Sequence, residues 1–334
     1  MNDNSLQAPA LICVDWGSSN FRAFLLDGEG NLLDSIRAQQ GMLTLRQEQF
    51  ETTLLDLIAP WLEGRSLPVL MAGMVGSAQG WRDAGYVDCP VTLDRLAAQL
   101  CWVSNGAGLK IGIVPGIRAR SQFEQADVMR GEEVQVFGAL RLLQKMASER
   151  EVLSRGEALF CLPGTHCKWA SIAGPAEQAQ ILTFATQMTG ELYSLLRQHS
   201  ILGRLISTDA AEQDDNFSAF DRGVARSRAG GGLLHHLFSA RTEVLSGTLS
   251  GAEIGSYMSG MLLGHEVKAM LATLAQTATV YLVGSDSLNT RYRRVLEQAG
   301  VNVCPVNGDQ AAWQGMLSIA RQAGLINEEE NGND

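Results

Sequence analysis

Positive charge is scarce in this chain, whose 334 residues carry 26 Lys and Arg against 36 Asp and Glu, for a formal charge of −10. That balance supplies no field for a nucleic acid or an acidic lipid, so any phosphate must be gripped locally, by backbone amides, hydroxyls and single side chains. Long apolar runs are missing too. Nothing approaches the roughly 20 residues that span a bilayer, and Met1-Asn2-Asp3-Asn4 lacks the basic start of a secretory leader. A cytoplasmic, membrane-free protein is the expectation. Closely spaced cysteine pairs are also lacking. Cys13, Cys89, Cys101, Cys161, Cys167 and Cys304 are scattered, without zinc-site or disulfide spacing, so buried free thiols are expected. His166 and Cys167 are adjacent, and neighbours on an extended segment point to opposite faces, which argues against a shared metal.

What is present is a 46% apolar, 19% charged composition that can bury sizeable cores. The length favours two domains with a cleft between them. Short β-rich runs at Leu11 to Asp15, Phe21 to Leu26 and Asn31 to Ile36, separated by glycine and acidic turn residues, predict a meander. Helical spacing of Phe50, Leu54, Leu57 and Trp61 predicts a helix over 48–61, and 67–72 reads as a buried strand. A strand at 110–114 precedes a helical pattern from Val128 to Gln144, with Asp127 at its head, and the lobe boundary is placed there. The second half opens in the same way, with strands at 158–162, 168–172 and 180–186 around the turn Pro163-Gly164-Thr165-His166. This is a weak internal repeat. Helices are expected at 191–198, 231–241, 253–263 and 287–298, with a strand at 279–283. A last helix follows Asp309, its Ala312 and Gly315 small enough for a close crossing at a hinge, and the acidic tail 327–334 reads as disordered.

Asp15-Trp16-Gly17-Ser18-Ser19-Asn20-Phe21-Arg22 lies between the first two strands. Gly17 would let the backbone approach a polyphosphate, the Ser18 and Ser19 hydroxyls would donate to it, and Asp15 would hold Mg²⁺ through water. A common hairpin explains this turn equally well. Gly164-Thr165 supplies a second turn of the same kind, as expected if two hairpins grip one set of phosphates. Asp127 is positioned to act as the base for a sugar hydroxyl, or as an ordinary N-cap. Gly284-Ser285-Asp286 stands at a strand-to-helix junction that suits an adenosine. The Gly-rich stretch Gly73 to Trp81, including Gly76, Ser77 and Trp81, follows a buried strand, a common place for a ligand, though Trp81 would also serve as packing.

The order of these elements resembles the sugar kinase, heat-shock protein 70 and actin superfamily, which implies two actin-like (ribonuclease H-like) α/β lobes with mixed sheets flanked by helices. The resemblance narrows to the 2-dehydro-3-deoxygalactonokinase family through Val14-Asp15-Trp16-Gly17, Met71 to Ser77, Asp127 to Glu133, Leu162 to His166 with Trp169, and Met188 to Leu192. It implies transfer of the ATP γ-phosphoryl group to the 6-hydroxyl of 2-dehydro-3-deoxy-D-galactonate in galactonate catabolism. ATP and Mg²⁺ would be the cofactors, Asp127 the base and Asp15 the metal-associated carboxylate. Gly17, Ser18, Ser19, Arg22, Gly164, Thr165, Gly284 and Ser285 would bind nucleotide, and Gly76, Ser77, Trp81 and Arg130 the sugar acid. Ser18 and Ser19 stand where threonines are expected, and Cys167 where serine is expected. The expected division is 1–125 and 126–325, with 326–334 as tail. Expected partners are the sugar acid and ATP, with no nucleic acid or membrane and with a homodimer left open.

The substrate carboxylate calls for a cation. Arg130, one helical turn from Asp127, is the first candidate and Arg82 the second, although ordinary ion pairs would explain both. Lys168 reads as a phosphate contact or a solvated strand residue, and Glu132 and Glu133 as metal-supporting groups or early-helix acids. A kinase of the epimeric gluconate compound and an actin-fold phosphohydrolase are the alternatives. A sugar-sensing regulator is disfavoured by the acidic chain, and a dinucleotide enzyme by an opening turn that leads to a hairpin.

Overall fold

A computed structural model describes residues 8–146, 157–175, 178–206, 216–272 and 279–326. The chain forms two compact units. The first comprises Met1–Glu157, Ala170–Phe184 and Val306–Asp334, the second Ala158–Trp169 and Ala185–Pro305.

In the first unit the meander is realised as β1 (Pro9–Trp16), β2 (Phe21–Asp27) and β3 (Leu32–Ala38), all antiparallel. After α1 (Phe50–Leu62), β4 (Val69–Ala72) returns parallel to β1. β7 (Ile111–Ile113) lies parallel to β4, and β6 (Cys101–Val103) closes the edge antiparallel to β7. The sheet order is β3-β2-β1-β4-β7-β6. Because both faces are covered, β1 and β4 read as continuous apolar runs. Ile12 and Val14 pack with Phe50, Leu54 and Ile58 of α1, while Cys13 on the opposite face lies against the Trp313 carbonyl. Trp313 belongs to α9 (Gly308–Gln322), which crosses α3 (Glu132–Gln144) at glycines. A methyl group at Gly138 would lie 1.8 Å from the Ala311 carbonyl oxygen, and one at Gly315 would lie 1.9 Å from that of Val134. The small residues read from the sequence therefore make a close crossing, onto α3.

The sequence pattern missed a three-stranded sheet in this unit, order β5 (Tyr86–Asp88), β8 (Gly116–Arg120), β9 (Ala126–Met129), and the short α2 (Leu93–Ala98). It also overextended a helix. Residues 126–129 are strand β9, Gly131 then takes φ +104°, and α3 starts only at Glu132. Asp127 is thus a strand residue and not an N-cap, and no helical turn links it to Arg130. The expected boundary near residue 126 falls inside the first unit, because β9 pairs with β8 and α3 packs on α9.

A second sheet is formed by β10 (Glu157–Leu162), β11 (Cys167–Ala173), β12 (Gln180–Gln187), β13 (Thr279–Gly284) and β14 (Asn302–Asn307), in the order β12-β11-β10-β13-β14; the second unit takes β11 only as far as Trp169, β12 only from Ala185 and β14 as far as Pro305. β10 and β13 are parallel. This repeats the order β3-β2-β1-β4-β7, which is the actin-like, ribonuclease H-like arrangement, so the internal repeat is structural. Five helices accompany it among the described residues: α4 (Thr189–His199), α5 (Phe217–Arg228), α6 (Gly232–Leu245), α7 (Ile254–Leu271) and α8 (Asp286–Glu297). α5 and β14 have no counterpart in the sequence reading. α5 meets α7 through Gly223 and Gly260, where a methyl group would sit 2.0 Å from the Tyr257 and Phe220 carbonyl oxygens respectively. The expected disordered tail lies outside the described residues. No helix among those residues is long and apolar enough to cross a membrane.

Candidate active site

The β1–β2 hairpin is held from behind. Its Gly17, Ser18 and Ser19 carbonyls accept hydrogen bonds from the amides of Met42 (3.0 Å), Leu43 (3.0 Å) and Gly41 (3.2 Å). Gly41 is required for this approach, since a methyl group there would lie 2.2 Å from the Ser19 carbonyl carbon. With its carbonyls engaged, the turn presents the exposed Ser19 and half-buried Ser18 hydroxyls as donors. Gly17 has no such structural reason. A methyl group there would meet only the Asn20 carbonyl oxygen, at an ordinary 3.6 Å, and its φ is not left-handed. The space it leaves bare suits the close approach of a phosphate.

Asp15 ends β1 opposite Arg22 of β2 and forms an ion pair with it. Arg22 is shared with Asp309 at the start of α9, and Asp309 also pairs with Arg37. Burial works to lower the Arg22 pKa, but the Asp15 and Asp309 carboxylates outweigh it and hold the guanidinium charged. Asp309 is a site residue that the sequence does not reveal. Its contact with Arg22 spans 287 positions, and nothing local announces it.

Three strand ends meet beside Asp15. Gly73, after β4, takes φ +92°, and a methyl group on it would lie 2.9 Å from the Trp16 carbonyl oxygen and 3.2 Å from an Asp15 carboxylate oxygen. Gly131 packs against Gly73. Between these glycines and β5 lies Arg130, only 9% exposed. Its Nη2 donates to the Gly85 carbonyl (2.8 Å) and its guanidinium covers the Tyr86 ring at 4.4 Å, yet Nε and Nη1 are buried with no hydrogen-bond partner. Gly76 makes room for it, since a methyl group there would lie 3.0 Å from Nη1. Ser77 is buried, with its hydroxyl on the Met42 sulfur (3.3 Å). Trp81 is half-buried, stacked on Phe50.

Asp127 is half-buried on β9, one carboxylate oxygen accepting from the Val128 amide at 2.8 Å. Glu132 accepts from the Arg130 amide (3.0 Å). Glu133 is fully buried, and both its oxygens accept from the Gly131 amide, at 2.9 and 2.7 Å. Burial, and after it the Glu132 charge, pushes Glu133 up to about 8, against the pull of those hydrogen bonds. A folded-state pKa above the ordinary 4.5 means that folding takes up a proton. The stabilisation is complete below about pH 4.5 and is lost as pH rises through 8. As pH rises from 5 towards 8 this one group should lower stability by roughly 1 kcal/mol per pH unit. Urea unfolding at pH 6 and pH 8 checks it. Glu133→Gln should flatten the slope by that amount, even though it loses one of the two contacts to Gly131, and an unchanged slope would show that Glu133 is ionised in the folded protein.

In the second unit, Gly164 and Thr165 form the turn between β10 and β11. A methyl group at Gly164 would meet nothing within 4 Å, so this glycine too leaves open space. The turn is fastened to the start of α4. The Glu191 amide donates to the Thr165 carbonyl (2.9 Å), and a methyl group at Gly190 would lie 2.4 Å from the Gly164 carbonyl oxygen. His166 and Glu191, both substantially exposed, pair across the same junction. Gly284 adjoins the turn, 3.4 Å from Pro163 by the same measure, and Ser285 caps α8 by accepting from the Leu288 amide (3.5 Å). Thus Gly164, Thr165, Gly284 and Ser285 come together in the second unit. Asp15, Gly17, Ser18, Ser19, Arg22, Gly76, Ser77, Trp81, Asp127 and Arg130 all lie in the first.

Beneath the second turn the cysteine pattern proves deceptive. Cys161 and Cys167, at either end of the turn, place their sulfurs 3.6 Å apart, beside the buried Glu266. Glu266 is filled by the Trp169 indole (2.7 Å) and the Tyr292 hydroxyl (2.9 Å), and burial holds both thiols protonated, so the group is a packed base for the turn. Lys168 is buried, its ammonium donating to the Thr186 hydroxyl at 2.9 Å, and is not a solvated strand residue.

The model of the 2-keto-3-deoxy-galactonokinase family matches residues 15–319. The chain is 35% identical over 309 residues to a 2-dehydro-3-deoxygalactonokinase of Escherichia coli (strain K12), covering 92% of this chain and 97% of that protein. A crystal structure of a Sinorhizobium meliloti protein described by the same enzyme name superposes with a TM-score of 0.80 at 35% identity, over 93% of this chain and 98% of that one. A gluconate kinase from Lactobacillus acidophilus shares the fold alone, with a TM-score of 0.51 at 8% identity over 95% and 90% of the two chains. The family match over nearly the whole described length, on a duplicated actin-like fold with a glycine-bearing turn at the head of each sheet, places the chain in the 2-keto-3-deoxy-galactonokinase family of carbohydrate kinases.

Proposed function

We propose that this protein transfers the γ-phosphoryl group of ATP, as its Mg²⁺ complex, to the 6-hydroxyl of 2-dehydro-3-deoxy-D-galactonate, giving the 6-phosphate and ADP. The observation that carries the acid specificity is Arg130, a buried arginine with two unpartnered guanidinium nitrogens beside the substrate loop. A buried charged donor left unpaired costs free energy, and a carboxylate is the ligand that repays it.

Gly17 with Ser18 and Ser19, and Gly164 with Thr165, are assigned to the phosphates, and Gly284 with Ser285 to the adenosine. Gly76, Ser77 and Trp81 line the sugar-acid loop. Of these, Ser77 and Trp81 act by shaping the loop, being tied to Met42 and Phe50. The hard carboxylate oxygens of Asp15, paired with Arg22, which it shares with Asp309, suit Mg²⁺ held largely through water. When bound, that ion neutralises charge on the phosphates. Arg22 fixes the Asp15 carboxylate and so acts on the nucleotide through it. Asp127 takes the proton of the 6-hydroxyl as the phosphoryl group moves, its carboxylate oriented by the Val128 amide.

ADP release coupled to an indicator enzyme tests this against a panel of the galactonate compound, its gluconate epimer, the parent aldonates, neutral sugars and no acceptor. Turnover confined to the galactonate compound is the expected result. Preference for the epimer would reassign the substrate, and release without acceptor would make the protein a hydrolase.

A further inference from the structure

The first unit contains a cavity of about 430 Å³ that no step of the reaction uses. It is walled by the C-terminal ends of α3 and α9, by the start of α2 and by residues 178–180. The opposite ends of α3 and α9 carry Glu132, Glu133 and Asp309, so the cavity lies at the far ends of two helices that begin among the residues assigned above. Its volume is that of a small-molecule site, roughly 300–1,000 Å³.

The lining is polar and positively biased. Arg321 donates Nη2 to the Gly28 carbonyl (2.7 Å), while its Nε is buried with no hydrogen-bond partner. Arg141 faces the same space, its Nε on Gln314 (3.0 Å). Thr92, Ser318 and Gln180 add hydroxyl and amide groups, and Asp94 is the one acid in the lining among the described residues. Two guanidiniums among hydroxyls and amides favour a small anion whose remaining surface is hydroxylated.

We propose that this cavity is an effector site for a small hydroxylated organic anion, either a carboxylate or a phosphate ester. Occupancy bears on the reaction through α3 and α9, which cross at backbone contact and so move as one body.

Glycerol 3-phosphate and citrate are the probes, titrated calorimetrically into the full-length protein with Mg²⁺-ATP present, and the one that binds identifies the anion class. Arg321→Gln should weaken that probe about tenfold, the value of a lost hydrogen bond to a charged group. Asp94→Asn, an exposed change that leaves the fold untouched, should tighten it about threefold by removing a like charge. The bound probe should also shift the KM for the sugar acid in the parent protein and not in Arg321→Gln. Absence of binding by both probes at about 10 mM, far weaker than a working metabolite site, overturns the proposal. So does binding indifferent to both substitutions, which places the anion elsewhere, or binding that leaves the kinetics unchanged.

Discussion

Asp127→Asn protein will bind ATP with the parent affinity and turn over at least about a hundredfold more slowly, the usual contribution of a positioned general base. The substitution is nearly isosteric, and its amide oxygen can still accept from the Val128 amide, so β9 keeps its pairing with β8. What disappears is the group that accepts a proton. Pre-steady-state rates of ADP formation with saturating sugar acid give the chemical step directly, and the loss should fall on kcat with KM for both substrates little changed. A variant within about threefold of the parent rate would remove Asp127 from catalysis and turn attention to Glu132, two residues past Arg130.

Arg130→Gln is expected to raise KM for the sugar acid by about a hundredfold while leaving KM for ATP unchanged. The estimate comes from truncating one partner of a buried charge pair, about 2–5 kcal/mol. A merely structural role predicts something different. Arg130 also ties down the Gly85 carbonyl and covers Tyr86, so loss of those contacts would lower the melting temperature and affect both substrates together. Arg130→Lys separates the two roles, since it restores charge without the planar fork and should recover part of the substrate affinity. Equal loss of discrimination between the sugar acid and its neutral alditol is the further mark of a carboxylate anchor. If Arg130→Gln binds the sugar acid normally, the anchor lies elsewhere.

The sequence shows most clearly those parts whose cause is local. The β1–β2–β3 meander announces itself through apolar runs and turn residues, and Gly17 and Gly164 stand out because each follows a buried strand in the same manner. Asp127 was misplaced for an equally local reason. The apolar spacing of Val136, Leu140 and Leu143 is truly helical, and nothing in Val128 or Met129 signals that the pattern ceases. Gly131 stops it, through a left-handed φ that reads in the sequence as just another glycine. The strands β5, β8 and β9, three to five residues each, are too short to establish a period. Contacts between distant positions leave no trace at all. Arg22 with Asp309, the Gly41 clamp behind the first turn, and the idle donors of Arg130 depend on three-dimensional neighbours. The Cys161–Cys167 approach hides differently, because only a tight turn brings residues six apart to 3.6 Å.

The placement of α9 has a consequence for synthesis. Its residues leave the ribosome after every strand of both sheets, yet they cover the sheet whose strands are made before those of the other. Until they emerge, Cys13, Phe24 and the crossing face of α3 at Val134 and Gly138 lack the surface that buries them, whereas the second unit, complete by Pro305, has all its residues in hand. The half made first must therefore finish last. A nascent chain arrested before Gly308 should expose the first unit to protease and leave the second resistant, an inversion of the usual amino-to-carboxyl order of domain folding.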